Sequence, residues 1–475
     1  MKLKVFKNYL FNMSYQILAI FLPLLTTPYI SRVLGADGVG IYNYVESVSA
    51  AFVLFAVLGT NSYAIREVAY RQENKKAYSQ IFYEICCIRI ITTFLLFPIY
   101  FLMIVKVEKY SLVYAAALLN LMIVPFDISW FFQGLEEFSK IVTRNFLCKI
   151  IALILIFALV KKPDDVVIYA FIMFGVNLLS NITMWFYLPK YVEPFKRDNF
   201  CPKHHIRGTL IFFIPTISAY IYTSLDKIVL GVLSNEYEVG YYSQSEKIVK
   251  LLMTIIYALS TVIMPRMANI IRKGEIDKVK ENINRSYQFV LLLSIPMIVG
   301  LMIVADYFIP LFLGNGYEKC IVLIYILAPL ILIMGISSMT GTAVMIAMGM
   351  QGKYNSIIIG ASIINLLLNL ILVKKFNSFG VAFATIIAEL FVMSSEVTSV
   401  KNLINFTGVI KYIIKYGINS LIMGIVVITV KQFLVCSWIS IMELSLIGAF
   451  IYLAALLIER DSLIMLVWNM IKHDG

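Results

Sequence analysis

Residues 39–46 read V-G-I-Y-N-Y-V-E, and residues 239–246 read V-G-Y-Y-S-Q-S-E. Val, Gly, Tyr and Glu recur at an offset of 200 with no gap, and the register holds as far as Arg66 and Arg266. A looser echo precedes it, R-V-L-G at 32–35 against I-V-L-G at 228–231, and another follows, Gln133-Gly134 against Gln351-Gly352. Each copy occupies one long apolar segment, so the phrase marks corresponding places in two halves of one chain.

The segments around it set the fold class. Of 475 residues 60% are hydrophobic and 14% charged, and the mean hydropathy is +0.86. A soluble chain carries about 25% charged residues. Apolar runs of about 20 residues, enough for a bilayer core of about 30 Å, follow one another with short breaks. They are continuous rather than alternating, which favours helices over a β-barrel. The reading is an all-α, polytopic membrane protein of about fourteen helices, near 9–31, 41–63, 80–105, 111–133, 141–160, 166–188, 208–232, 240–264, 285–307, 319–340, 354–373, 379–400, 411–434 and 437–458. The basic start M-K-L-K-V-F-K precedes an apolar run too long for a secretory signal, so that run is expected to be the first span.

Lys and Arg orient the chain. With the N-terminus inside, 27 of the 40 fall on the cytoplasmic side, 9 outside and 4 within spans, and both termini come out cytoplasmic. The two longest breaks, 189–207 and 265–284, are basic and cytoplasmic in this topology. The net charge of +12 thus reads as a topology signal and a contact with anionic membrane lipids, with no nucleic acid as partner.

Six helices separate the members of each echo. An even number returns the chain to the same side, so the copies are parallel repeats about an axis along the membrane normal. Residues 1–201 and 202–405 form two six-helix lobes on this reading, with 406–475 adding two appended helices. Two such lobes suggest a cleft that opens alternately to either side. Asn12, Gln16, Pro23 and Thr27 stripe one face of the first helix, and Thr216, Tyr220, Thr223 and Lys227 one face of the seventh. Pro23, Pro28 and Pro215 permit bending there.

A charge at membrane depth costs about 2.5–3.5 kcal/mol on insertion scales and needs a reason. Arg89, Lys227, Lys247 and Lys250 are the bases, with Arg32 near the outer mouth; Glu46, Asp127, Asp226, Glu246, Glu389 and Glu396 are the acids. Internal ion pairs would account for many of them. The deeper bases outnumber nearby acids, and a cationic hollow that attracts an anion such as phosphate accounts for the surplus.

Catalytic signals are weak. His204 and His205 fall in a loop and His473 at the tail, none beside a nucleophile. G-M-Q-G-K at 349–353 has the wrong spacing for a phosphate loop. Six scattered cysteines show no metal-ligand spacing. No catalytic residue, metal or resident cofactor is expected, and transport without covalent chemistry remains.

Several stretches carry a resemblance. L-T-T-P-Y-I-S-R-V-L-G-A-D-G-V-G-I-Y (25–42), W-F-F-Q-G-L-E-E-F (130–138), L-D-K-I-V-L-G (225–231), V-G-Y-Y-S-Q-S-E-K-I (239–248) and I-I-N-L-L-L-N-L-I-L-V-K-K-F-N-S-F-G-V-A-F-A-T-I-I-A-E (363–389) resemble the polysaccharide branch of the multidrug/oligosaccharidyl-lipid/polysaccharide exporter superfamily. Within it the likeness is to Wzx-type O-antigen and capsule repeat-unit flippases, over almost the whole chain. The resemblance implies fourteen helices in two lobes and alternating access in a bacterial plasma membrane. It also implies a cationic cavity for undecaprenyl-pyrophosphate-linked oligosaccharide, proton or sodium coupling, and a polysaccharide polymerase and assembly proteins as partners. Asp226 and Lys227 in L-D-K-I and Glu246 and Lys247 in S-E-K-I carry over with it; Arg89 and Lys250 rest on burial physics alone. Tyr220, Tyr222 and Tyr242 are placed to stack on sugars, and Asp226, Glu46, Glu246 or Asp127 to bind the coupling ion. A flippase for teichoic acid or lipid II precursors, a MATE-like cation or drug antiporter with an acidic cavity, and a membrane scaffold are the competing readings.

Overall fold

In a computed structural model of the chain, the described backbone covers residues 2–195, 197 and 200–465, with side chains from Leu22 onward except those of residues 218, 219, 222, 259 and 262. All regular structure among them is helical. The chain divides into two compact units, Met1–Gly240 and Tyr241–Gly475.

The first unit holds α1 (Lys2–Val57), α2 (Thr60–Ala69), α3 (Lys75–Lys106), α4 (Ser111–Phe126), α5 (Ser129–Gly134), α6 (Phe138–Leu159), α7 (Val166–Thr183), the short α8 (Leu188–Tyr191) and α9 (Lys203–Leu233). α10 (Glu236–Arg272) starts there and continues into the second unit. The second unit adds α11 (Ile276–Phe312), α12 (Lys319–Leu327), α13 (Leu330–Ser337), a π-helical stretch at Ser338–Met345, α14 (Gln351–Phe376), α15 (Ser378–Ser399), α16 (Phe406–Lys431) and α17 (Trp438–Ile458).

Twelve helical segments among the described residues are long and apolar enough to cross a bilayer. One of them runs from Leu22 to Val57 but contains a break at Gly35, whose φ of 71° lies in the left-handed region that only glycine adopts at little cost. The two sides of that break match the first and second expected spans. α9, with 31 residues, is the seventh, so the fourteen segments read from hydropathy each find a helix. Phe94 and Leu102 on α3, Ile425 on α16 and Phe450 on α17 stand exposed. In water such faces would be sticky; in a bilayer they are the lipid contact. The protein is a multi-pass membrane protein.

Inside the first unit Leu34, Val45, Ala56, Tyr100, Ala117 and Leu121 form one core across α1, α3 and α4. A second is aromatic, built from Phe82, Trp130, Phe131 and Phe132. In the second unit Leu291, Tyr416, Met423, Leu444 and Leu456 pack α11 against α16 and α17. The last two helices are thus bound into this unit through α11.

The repeated phrase acquires a physical cause in the first unit. A Cβ on Gly40 would sit 1.8 Å from the Glu236 carbonyl oxygen, and a Cβ on Gly240 would sit 2.0 Å from the Ala36 carbonyl oxygen. The contact is reciprocal: 40 meets 236 and 240 meets 36, the same offset of four from each side. Two helix starts cross here at backbone contact, and each copy supplies the residue without a side chain.

α9 is tied to the first unit: His205 bonds Tyr63 and Glu84, and the Tyr220 hydroxyl donates to the Ser47 carbonyl. One expectation is corrected: the break at 265–284 is not a loop. α10 runs on to Arg272 and α11 starts at Ile276, leaving a three-residue turn.

The end of α17 is fastened by Asp461, whose Oδ2 accepts from Lys415 Nζ at 2.7 Å and the Tyr416 hydroxyl at 3.0 Å. Burial opposes its charge, but Lys415, Tyr416 and the Leu463 N–H outweigh burial and hold the carboxyl below its ordinary range. A depressed carboxyl stabilises the fold above its unfolded value, about 3.9, and ceases to do so as pH falls through the folded value. Asp461→Asn is expected to lower stability by about 1–3 kcal/mol near neutral pH. It is also expected to flatten the acid limb of the melting midpoint measured from about pH 3 to 7.

Candidate functional site

The intramembrane charges fall into three settings. The most enclosed is Arg89, which is fully buried. Its Nε donates to Thr60 Oγ1 at 2.9 Å, Nη1 to the Asp127 carbonyl at 2.6 Å, and Nη2 to Asn61 Oδ1. Nη1 also lies 3.6 Å from Asp127 Oδ2, and the guanidinium stands over the Trp130 ring. The reason is local. Pro125 and Asp127 end α4, which leaves terminal carbonyls without helical donors, and a planar five-donor fork can satisfy them while pairing the carboxylate. In this arrangement the Arg89 side chain ties α2, α3 and α4 together. Asp127 belongs to the same tie, and its Oδ1 also accepts from Ser129 N–H.

The second setting ranges from buried to exposed. Glu46 lies beside Tyr42 and Tyr169 on the inner length of α1. Asp226 is buried and Lys227 half-buried on α9. Lys250 Nζ meets Glu246 Oε1 at 2.5 Å one turn apart on α10, with the lysine half-exposed and the glutamate mostly covered. Lys247 is half-buried one residue on from Glu246, and Arg32 is exposed on α1.

Of the tyrosines, Tyr242 is buried and its hydroxyl lies 3.1 Å from Thr385 Oγ1. Tyr220 is half-buried. The side chains of Tyr222, Asn12 and Gln16 lie outside the described residues.

The partners in the third setting were not read from the sequence. His205 is buried, with Nε2 2.6 Å from Glu84 Oε2 and Nδ1 2.8 Å from the Tyr63 hydroxyl. Glu84 Oε1 also accepts from Cys201 N–H at 2.8 Å and from Gln80 Nε2 at 3.0 Å. This chain joins α2, α3 and the start of α9. In the second unit Glu396 on α15 accepts from Ser337 Oγ at 2.5 Å, beside the π-helical stretch where Thr340 bonds Tyr287 at 2.6 Å. Its other oxygen is buried without a hydrogen-bond partner among the described residues. π-helical turns are uncommon and concentrate at functional places.

Chemically these are groups that hold charge and protons inside a lipid-facing scaffold. No group of three metal-binding side chains occurs among the described residues.

The chain matches the family model described as "Polysaccharide biosynthesis protein" over residues 5–271, more than half its length. It belongs to that family. A curated relative from Escherichia coli (strain K12), named "Putative O-antigen transporter", is 24% identical over 411 residues, covering 84% of this chain and 98% of the relative. Among solved structures, a lipid II flippase MurJ in an inward closed conformation has a TM-score of 0.75 at 18% identity, covering 95% of this chain and 99% of that one. An inward-facing multidrug resistance MATE family transporter of the MOP superfamily has a TM-score of 0.60 at 14% identity, covering 81% and 98%. The fold is the one these transporters share.

Proposed function

We propose that this protein is a flippase that carries undecaprenyl-pyrophosphate-linked oligosaccharide repeat units from the cytoplasmic to the outer leaflet by alternating access, for surface polysaccharide synthesis. The observation that carries the proposal is membership of a polysaccharide biosynthesis family by a chain built of membrane-crossing helices. The name of the E. coli relative and the lipid II flippase fold support it. On this reading the chain transports and does not catalyse, resides in the bacterial plasma membrane with both ends cytoplasmic, and hands its cargo to a polymerase and assembly proteins.

The lipid tail stays in the bilayer while sugars and pyrophosphate cross. Lys227, Lys247 and Lys250 offset the headgroup charge, with Arg32 at the outer mouth, since desolvated phosphate requires cations along its route. Proton or sodium binding at Asp226 or Glu46 biases the two access states; Glu246 is instead paired with Lys250. Tyr220 offers a ring to the sugars.

Charge reversal at Lys250, which stands half-exposed, removes one cation and sets a second acid one turn from Glu246. Lys250→Glu is expected to cut surface glycan at least about tenfold, the equivalent of about 1.4 kcal/mol on the transport barrier, while the protein stays inserted at normal levels. Unchanged glycan would remove Lys250 from the route. The cargo itself is tested by deleting the gene and weighing the polyprenyl-linked intermediates that accumulate. A complete oligosaccharide on polyprenyl pyrophosphate is expected; accumulation of lipid II, or of nothing, would overturn the proposal.

A further inference from the structure

The helix ends flanking the turn between α10 and α11 line an open cavity of about 330 Å³ that the transport reading leaves unused. Four bases line it, Arg266, Lys273, Lys278 and Arg285, together with two acids, Glu275 and Glu281. Both acids are already committed: Lys278 Nζ lies 2.8 Å from Glu275 Oε2, and Arg285 Nη2 lies 2.6 Å from Glu281 Oε1. Arg266 and Lys273 form no ion pair among the described residues. Four bases against two acids leave the wall with a net charge of +2.

The repeat makes this more telling. Arg66, which stands 200 positions before Arg266, is occupied: its Nη2 bonds Glu67 at 2.9 Å, and its guanidinium covers the rings of Tyr63 and Phe212. The second copy keeps the arginine but gives it an open cavity in place of a carboxylate. Depth fits as well. α10 and α11 have 37 residues each, about 55 Å at 1.5 Å per residue, whereas the hydrocarbon core is about 30 Å thick. The turn thus projects past the core, where headgroups lie.

We propose that this cavity binds a phosphate dianion, through Arg266 as a bidentate donor and Lys273 as a point charge, and that its source is the phosphomonoester headgroup of a membrane lipid of the phosphatidic acid type. The net charge of +2 matches the charge of a phosphomonoester, and a planar guanidinium matches its oxygens. The proposal involves no transport step, so its failure would leave the flippase reading untouched.

The test uses the full-length protein in lipid nanodiscs and in detergent, with phosphatidic acid, phosphatidylcholine and inorganic phosphate as probes. Native mass spectrometry reads retained lipid, and thermal melting reads protection. Phosphatidic acid is expected to be retained saturably and phosphatidylcholine not. Arg266→Gln with Lys273→Gln is expected to weaken retention at least tenfold; Arg266→Lys with Lys273→Arg keeps most of it. Lys374→Gln with Lys375→Gln, at the end of α14, leaves it unchanged. Lys273→Gln alone, an exposed position, reports the same effect in smaller size should the double variant fold poorly. Protection by inorganic phosphate that needs Arg266 and Lys273, without lipid retention, supports the anion site and assigns it to free phosphate. Equal retention by the wild type and the glutamine variants, or no response to either phosphate source, overturns the proposal.

Discussion

Gly40→Val and Gly240→Val are each expected to prevent accumulation of folded protein in the membrane. A side chain at either place would begin 1.8–2.0 Å from a carbonyl oxygen of the opposing helix start. Overpacking against side chains usually costs about 1–3 kcal/mol, because rotamers can yield. Here the obstacle is backbone, and two helices would have to separate. Alanine, with one added methyl, is expected to insert but to melt at least about 5 °C lower, the shift that corresponds to roughly 2 kcal/mol in a domain of some 200 residues. Because both glycines serve one crossing, the Gly40→Ala/Gly240→Ala double variant should cost clearly less than the sum of the singles. Gly300→Ala is the control, since nothing stands within 4 Å of a Cβ there. Melting of the purified variants in detergent decides: additive losses, or a loss at Gly300 equal to that at Gly40, would refute the crossing as the cause.

The second large effect is expected at Arg89. Removing its guanidinium takes the cation from the half-buried Asp127 carboxylate and one donor from the carbonyls that end α4, leaving Ser129 N–H and Trp130 Nε1 as the remaining donors to Asp127. Breaking a buried pair from one side costs about 3–5 kcal/mol. Arg89→Met is expected to fall in that range or to fail to fold. Arg89→Lys keeps the charge but not the fork that reaches Thr60, Asn61 and Asp127 at once, so it should recover less than half of the loss. The distinguishing readout is cargo binding by whatever Arg89→Lys protein folds. A tie between helices predicts normal affinity at reduced stability. Normal stability with lost affinity would return Arg89 to the transport route.

These two residues also show what could be read from the sequence. Hydropathy located the membrane-crossing segments because lipid imposes one rule on every segment, and that rule is written in each run of twenty residues. The echo at Gly40 and Gly240 was legible as a repeat. Its cause was not, since a crossing of backbones joins residues 200 apart. Gly35 looked like part of a loop between helices; a single left-handed residue makes the whole break. The stretch 265–284 looked like a loop because its residues are charged, yet charged residues build helices well once the axis leaves the bilayer.

The site was less legible. Arg89 was recognisable as costly, but its partners Thr60, Asn61 and Asp127 come from two other places in the chain. His205 sits in a basic stretch that reads as surface, and only tertiary packing buries it against Glu84 and Tyr63. Lys250 and Glu246, four apart on one helix, form the ion pair that sequence spacing does predict.

The most direct test of the flippase proposal is reconstitution. The purified protein is placed in liposomes whose inner leaflet alone carries polyprenyl-pyrophosphate oligosaccharide, and the sugar that becomes reachable to an added glycosidase is measured over time. The account predicts protein-dependent exposure of the oligosaccharide, abolished or strongly slowed in Lys250→Glu liposomes of equal protein content. Exposure no faster than in protein-free liposomes would contradict it.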